Sequence, residues 1–107
     1  MGERIHEVKT YFENDIKTVA QVNVVGLTDK TVDQGSYTCY ELMEGSGTYT
    51  AFYEDGTTKI VELNRPHQKF QAFRGIPYQA KGFGETGMRV AAISYPPFDS
   101  TAVSVVE

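Results

Sequence analysis

Few side chains in this 107-residue sequence have the chemistry of a metal ligand or a nucleophile. The histidines are His6 and His67, and the one cysteine is Cys39. A zinc or iron site usually draws several such ligands at characteristic spacings, which these three residues do not show. The serines lack a well-placed triad partner. The sequence therefore predicts no metal site and no cofactor.

Each reactive residue also has a structural interpretation. Cys39 stands between Thr38 and Tyr40 in a predicted strand with no basic neighbour in sequence, which is typical of a small core residue. His67 follows a proline in a polar turn, and we interpret its imidazole as solvated. His6 lies near the terminus and receives the same interpretation.

The segment 82–87, GFGETG, has the letters of a dinucleotide-binding fingerprint. Such a fingerprint needs a helix directly after the glycines, so that helical amides can meet the pyrophosphate. Here the strand-like MRVAAIS follows directly. We interpret the segment as a connection between two strands.

Seven tyrosines are the compositional feature that could form a binding site. A tyrosine presents an aromatic face with a hydroxyl at its tip, and several together suit a pocket for a small, partly polar ligand. Tyr49 and Tyr53 share one face of a strand by their spacing. Packing accounts for tyrosines in strands equally well, so both roles remain open.

The elements that must position these residues are strands. No window repeats apolar residues at helical spacing, whereas AQVNVV (20–25) alternates apolar and polar residues. The segments 38–44 and 48–55 flank Gly45-Ser46-Gly47, which predicts a hairpin, and the turn pair Asp55-Gly56 predicts a second. The three strands would form a meander.

Further strands are predicted beyond this meander. They are KFQAF (69–73), MRVAAIS (88–94) and an edge strand within TAVSVV (101–106). Seven to nine short strands separated by turns indicate an all-β sandwich or barrel.

Length and charge limit the partners. A chain of this size fits a single domain, 1–107. The net charge of −4, with scattered lysines and arginines, disfavours nucleic acid. No window has the length of apolar sequence that a membrane span needs, and a lone cysteine is typical of a reducing compartment. We expect a cytoplasmic protein with no membrane partner.

The order of three segments resembles a small single-domain cupin, a jelly-roll β-barrel of antiparallel strands. They are YELMEGSGTYTAFYEDG, FRGIPYQ and MRVAAISYPPF, and the resemblance covers residues 18–98. The family's first motif runs from a glycine through a His-x-His pair and a glutamate to a closing glycine, and Gly26 and Gly45 match its two ends. The second motif contains the family's last metal-binding histidine.

The metal ligands of the family are replaced in this chain. One register of the first motif puts Val32, Gln34 and Thr38 at ligand positions, and a second puts Thr31, Asp33 and Thr38 there. In the second motif Tyr78 stands at the histidine. The resemblance therefore implies the barrel without the family's metal-dependent reactions.

The resemblance, together with strand alternation, implies which residues face the barrel interior. Tyr78 should point inward; Thr38, Tyr40 and Leu42 should share one face, with Gln34 or Asp33 nearby. Our leading hypothesis is a metal-free barrel that binds a sugar derivative or a carboxylated metabolite, and whether it is an enzyme stays open. The predicted ligand-binding residues are Tyr78, Tyr40, Thr38, Gln34 and Asp33.

Two alternatives stay open. One is a metal-independent sugar isomerase, epimerase or lyase with Tyr78 as acid and Asp33 or His67 as base. The other is a non-catalytic assembly or regulatory domain. Small cupins commonly pair, and we expect a homodimer formed through IHEVKTYF or TAVSVV, the segments outside the family match.

Overall fold

Strands make up most of the chain. The computed structural model describes residues 5–106, with side chains from residue 8 onward. In chain order the elements are β1 (Ile5–Glu13), β2 (Thr18–Leu27), β3 (Thr31–Asp33), β4 (Tyr37–Gly45), β5 (Gly47–Phe52), β6 (Thr58–Leu63), β7 (Lys69–Ala72), β8 (Tyr78–Gly82), β9 (Met88–Tyr95), a short 3-10 helix (Ser100–Ala102) and β10 (Val103–Val105). The predicted all-β class is confirmed.

The strands form two antiparallel sheets that face each other. The first sheet has the order β1-β2-β9-β4-β7, and the second has the order β10-β3-β8-β5-β6. The end of β2 joins them, because Gly26 and Leu27 pair with Gly82 and Lys81 of β8. The result is a nearly closed barrel.

One predicted connection is wrong. The strands β4 and β5 do not form a hairpin: β4 pairs with β7 and β9, whereas β5 pairs with β6 and β8. The chain changes sheets at Gly45, whose φ is +84°. A short glycine-containing connection suits a hairpin or a change of sheet, so its residues alone do not decide between them. The three-strand meander is therefore absent.

The other predicted turns are confirmed. The strands β5 and β6 form the hairpin around Asp55-Gly56, with partners from Gly47↔Leu63 to Phe52↔Thr58. The glycine-rich segment 82–87 connects β8 to β9. Within residues 5–106, no helix has the length and apolar character needed to cross a membrane.

Side-chain size divides the interior of the barrel. At one end the inward positions carry large residues, and Leu42, Leu63, Met88 and Val90 are almost completely buried. Elsewhere the inward positions of β2, β8 and β9 are small: Thr18, Ala20, Ala80, Ala92 and Ser94. Native cores pack at crystal-like density, so a run of small residues leaves space that the large end does not.

Cys39 lies outside this core. Its neighbours Thr38 and Tyr40 point inward, so the alternation of β4 turns Cys39 outward, where it is half-buried. Partial burial raises the pKa of its thiol. The prediction of a core cysteine is wrong, because the alternation that turns Thr38 and Tyr40 inward places Cys39 on the opposite face of β4.

We predict that Gly45→Ala destabilises the protein more than Gly56→Ala does. Both glycines have positive φ, and a left-handed conformation costs an L-residue about 1–2 kcal/mol. A Cβ at Gly45 would also collide with the backbone of Gly87 and Met88, whereas a Cβ at Gly56 meets nothing within 4 Å. Overpacking adds about 1–3 kcal/mol. Urea unfolding measures the unfolding free energy of both variants. Equal losses of unfolding free energy would contradict the packing of Gly45 at the point where the chain changes sheets.

Candidate functional site

The small inward residues border a cavity of about 340 Å³. Its apolar wall comes mainly from β2, β8 and β9, with Ala20, Val22, Val24, Ala80 and Ala92. The polar residues Thr10, Thr18, Thr28, Thr31 and Ser94 interrupt this wall. The cavity can therefore enclose an apolar surface while offering a few hydrogen bonds.

Two tyrosines from opposite sheets meet in the cavity. Tyr40 of β4 and Tyr78 of β8 both line it, and their hydroxyl oxygens lie 2.6 Å apart in a hydrogen bond. The prediction that Tyr78 points into the barrel is confirmed. The structure thus brings together the two tyrosines of the predicted site.

An aromatic cluster holds these two rings in place. Tyr49 stacks on Tyr40 with ring centroids 4.9 Å apart and on Phe70 with centroids 4.7 Å apart. Tyr78 is tilted against Phe70 at 5.9 Å. Stacked and tilted aromatic pairs fix ring orientation, so the hydroxyl pair sits on a rigid base. Tyr53, which was expected on the same face as Tyr49, lies beyond the end of β5 and is exposed.

Burial keeps these phenols protonated. Loss of solvent raises the pKa of Tyr40 and Tyr49 well above its ordinary value, and the nearby Tyr78 adds to the effect. Burial also raises the pKa of Tyr78, but hydrogen bonds from Tyr40 and Thr31 oppose the rise. A phenolate at Tyr78 would accept both hydrogen bonds. Within the hydroxyl pair, Tyr78 is therefore the phenol suited to release a proton.

The remaining predicted site residues take different places. Thr38 is buried behind the wall, where its hydroxyl lies 2.8 Å from that of Ser94. Gln34 is exposed and does not line the cavity. Asp33 is buried, and its Oδ1 accepts the backbone N–H groups of Gly35 and Ser36 at 2.8 and 2.9 Å. Its negative charge still raises the pKa of both Tyr40 and Tyr78.

His67 does not contribute to the cavity. The imidazole of His67 is exposed, and its Nδ1 lies 2.6 Å from Oε2 of Glu41 on the outward face of β4. His6 lies in β1, and its side chain falls outside the described residues. Among the side chains that the structure describes, no three His, Cys, Asp or Glu residues converge as a metal site would require.

Among the residues of the cavity wall that sequence reasoning missed are Asp29 and Phe98. Asp29 lies between β2 and β3, and Phe98 follows the strand-ending prolines after β9. Both lie in irregular segments, where no periodicity predicts the direction of a side chain. Thr31, which also lines the cavity, was named only in the second register of the resemblance.

Comparisons with known proteins identify the fold. No protein-family model matches the chain. No curated protein matches it either. Solved structures do: a variant of Pac13 from Streptomyces with bound uridine superposes with a TM-score of 0.80 at 14% identity, covering 100% of this chain and 82% of that one.

Two further structures agree. Pac13, described as a nucleoside dehydratase, gives a TM-score of 0.78 at 15% identity, with 99% of this chain and 85% of that one covered. An uncharacterised protein with a double-stranded β-helix domain from Klebsiella pneumoniae gives 0.71 at 12% identity, covering 95% and 84%. At these identities the likeness shows the fold alone. The cupin-like jelly-roll barrel is confirmed.

We predict that the loss of folding stability at alkaline pH is smaller in Tyr40→Phe than in the wild type. Because the pKa of the Tyr40 phenol is raised in the folded state, this group stabilises the folded protein fully below its unfolded-state pKa of about 10. That stabilisation is lost as the pH rises through the folded-state pKa. The unfolding free energy of the wild type should therefore fall above about pH 10, and that of Tyr40→Phe should fall less steeply. Exposed Tyr53→Phe is the control. Identical slopes for wild type and Tyr40→Phe, measured by urea unfolding, would contradict the burial of this phenol.

Proposed function

We propose that the barrel binds a small, partly polar organic molecule in the cavity, at the hydroxyl pair of Tyr40 and Tyr78, without a metal ion. The observation that carries the proposal is this pair of protonated phenols in a mostly apolar wall. Binding pockets typically combine an apolar lining with a few polar groups that orient the ligand. Neutral phenols and hydroxyls are poor ligands for a divalent cation, which prefers carboxylates, imidazoles or thiolates.

The size of the cavity supports a ligand of sugar or nucleoside size. Pockets for small molecules usually start at about 300 Å³, so this cavity lies near the lower limit. Pac13, which has the same fold, has been solved with uridine. We therefore propose a sugar derivative or a nucleoside as the ligand class.

Phe98 adds a flat apolar surface at the cavity. Its side chain lines the cavity and is 47% exposed, which places it where the cavity meets solvent. The N–H of Phe98 donates to Oγ1 of Thr18 at 2.9 Å, which fixes the segment. A planar base or the apolar face of a sugar could stack on this ring while its hydroxyls reach Tyr40 and Tyr78.

A metal-independent lyase is the second candidate, favoured by the hydrogen bonds with Tyr40 and Thr31 that oppose the rise of the Tyr78 pKa. Pac13 is described as a dehydratase, and loss of water needs an acid for the leaving hydroxyl and a base for the proton. The expected bases do not serve, since Asp33 accepts hydrogen bonds in a turn and His67 lies on the outer surface. Asp29 is the carboxylate in the wall.

In such an elimination the atoms balance without a cofactor. The Asp29 carboxylate takes a proton from carbon, the C–H electrons form a C=C bond, and the C–O bond breaks. Tyr78 gives its proton to the departing oxygen, so that water leaves. A proton transfer from Asp29 back to Tyr78 through water restores the site. An isomerase would use the same two residues without loss of water.

We predict that Tyr78→Phe and Tyr40→Phe each weaken binding of the preferred ligand about tenfold, because one ligand hydrogen bond of about 1–1.5 kcal/mol is lost. A thermal-shift screen of uridine, other nucleosides and simple sugars finds the ligand, since saturation at 100 times Kd adds about 2.7 kcal/mol of stability. Calorimetry then gives the Kd of each variant, with Tyr53→Phe as a matched control outside the cavity.

Unchanged affinity in both cavity variants would remove the assignment of this site. Mass spectrometry of the incubated ligand distinguishes the two candidate functions. An unaltered ligand supports binding alone, and loss of a water molecule supports the lyase.

We also propose that the protein is a homodimer formed through β1. Among the described strands β1 pairs only with β2, so its other edge is open for pairing. Large apolar residues are exposed on or next to β1: Val8, Tyr11, Phe12 and Ile16. Two copies of β1 related by a two-fold axis would pair antiparallel and cover these side chains. This arrangement is also what an assembly or regulatory role would use.

The predicted dimer is tested by sedimentation. The wild type should sediment with the mass of two chains at micromolar concentration, and Tyr11→Lys, outside the cavity, should shift the mass toward one chain. Ile60→Lys is the matched control, because Ile60 is similarly exposed on β6, which is also an edge strand. A wild-type mass of one chain would contradict the dimer, and dissociation by Ile60→Lys alone would move the interface to β6.

A further inference from the structure

We propose that Ser36 is a positioning residue of the cavity. Its hydroxyl holds the segment 96–102, which connects β9 to β10, so that the ring of Phe98 faces a bound ligand. The inference rests on the proposed function, because it concerns the stacking of a flat ring of the ligand on Phe98. Ser36 itself lies outside the cavity wall. It therefore sets the affinity for ring-containing ligands without touching them.

A buried carboxyl group fixes the place of the Ser36 side chain. Oδ1 of Asp33 accepts the backbone N–H groups of Gly35 and Ser36 at 2.8 and 2.9 Å. Asp33 is 6% exposed and Ser36 is 1% exposed, so water does not compete for these hydrogen bonds. The backbone of this turn is therefore held in one conformation, and Oγ of Ser36 starts from a fixed point.

The Ser36 hydroxyl holds the beginning of the segment that carries Phe98. Its Oγ donates to the carbonyl oxygen of Pro96 at 3.0 Å, across 60 positions of sequence. Proline has no backbone N–H, so the carbonyl is the polar group through which Pro96 can be held. Phe98 follows two positions later. The hydrogen bond therefore acts on the backbone just before the ring.

The same turn also holds the end of the segment. The N–H of Gln34 donates to the carbonyl oxygen of Ala102 at 3.0 Å. Gly35 packs so closely against Ala102 that a Cβ on this glycine would lie 2.8 Å from the alanine Cβ. The pairing of β10 with β3 begins at the next residue. Both ends of the segment are therefore held by one turn, with Phe98 between them.

The backbone has to set the direction of the Phe98 ring. This ring is 47% exposed, so fewer neighbours hold it than hold a ring of the core. Stacking requires the two rings to meet in an offset or tilted arrangement at a short distance. A segment free to move at Pro96 would present the ring in several directions and would weaken the stack.

Ser36 separates positioning from direct contact with a ligand. The other hydroxyl that holds the segment belongs to Thr18, whose Oγ1 accepts the N–H of Phe98 at 2.9 Å and donates to Oε2 of Glu13 at 2.9 Å. Thr18 lines the cavity, so a change there would act on the ligand as well. Ser36 reaches the ligand only through the segment. It is therefore the residue to test.

A fluorescent side chain at position 98 reports the position without any ligand. The chain has no tryptophan, so Phe98→Trp introduces one indole. We expect the further change Ser36→Ala to increase acrylamide quenching of this indole and to lower its anisotropy, because the segment loses its hydrogen bond at Pro96. Ser104→Ala is the matched control. It removes the hydroxyl of an exposed serine on β10 outside the cavity wall, and it should change neither signal.

A double-mutant cycle tests the effect on a ligand. Calorimetry measures the affinity for uridine in the full chain, and Phe98→Ala should weaken it about tenfold through loss of one stacked base. Ser36→Ala should weaken it about threefold, the effect of one hydrogen bond. In the Phe98→Ala background Ser36→Ala should have no further effect, since both residues act through one contact. Ser104→Ala should leave the affinity unchanged in either background.

The outcomes separate this inference from the function it rests on. Unchanged quenching and anisotropy in Ser36→Ala overturn the positioning role, and so does a loss of uridine affinity that persists in the Phe98→Ala background. Both results leave the binding function intact. A wild type that binds neither uridine nor any nucleoside or sugar of the screen overturns the binding function, and with it the effect of Ser36 on affinity.

A second variant covers the case in which Ser36→Ala does not fold. Ser36→Cys keeps the shape of the side chain and donates only weakly, so it takes the place of Ser36→Ala in both measurements. We expect it to increase the quenching of the indole as well. A signal equal to that of the parent Phe98→Trp protein would overturn the positioning role.

Discussion

The hydrogen bond between Tyr40 and Tyr78 is the contact on which the site depends. It joins β4 of the first sheet to β8 of the second at 2.6 Å, with both rings largely removed from water. A buried hydroxyl without a partner costs more than its hydrogen bond contributes, so each phenol needs the other. The contact therefore ties one sheet to the other and fixes the direction of both hydroxyls.

The volume of the inward side chains decides where the Tyr40–Tyr78 hydrogen bond borders the cavity. Large apolar residues close one end of the barrel, whereas alanine, threonine and serine at the inward positions of β2, β8 and β9 leave the cavity. The aromatic cluster of Tyr40, Tyr49, Phe70 and Tyr78 borders both regions. The same rings therefore contribute to the stability of the core and to the chemistry of the cavity.

A cavity with two phenols in a mostly apolar wall differs chemically from a metal centre. A bound cation would attract anionic groups of a ligand, whereas protonated phenols offer it hydrogen bonds. The jelly-roll barrel tolerates wide changes of sequence, since the comparison structures share the fold at 12–15% identity. The ligand class follows from the side chains in the wall and not from the barrel.

The sequence by itself determined the all-β class, most strand positions and the inward direction of Tyr40 and Tyr78. These follow from alternation, because a period of two fixes which residues share a face of a strand. The likeness of three segments to a known barrel put the two tyrosines in one region. Both kinds of information belong to regular elements.

The tertiary structure alone decided the rest. It showed that the chain changes sheets at Gly45, that Asp33 accepts hydrogen bonds in a turn, and that Asp29 and Phe98 border the cavity. Turn residues allow several partners with similar local energy, and an irregular segment has no period that directs its side chains. Those choices depend on contacts between residues that are distant in sequence, so they are settled only when the two sheets pack against each other.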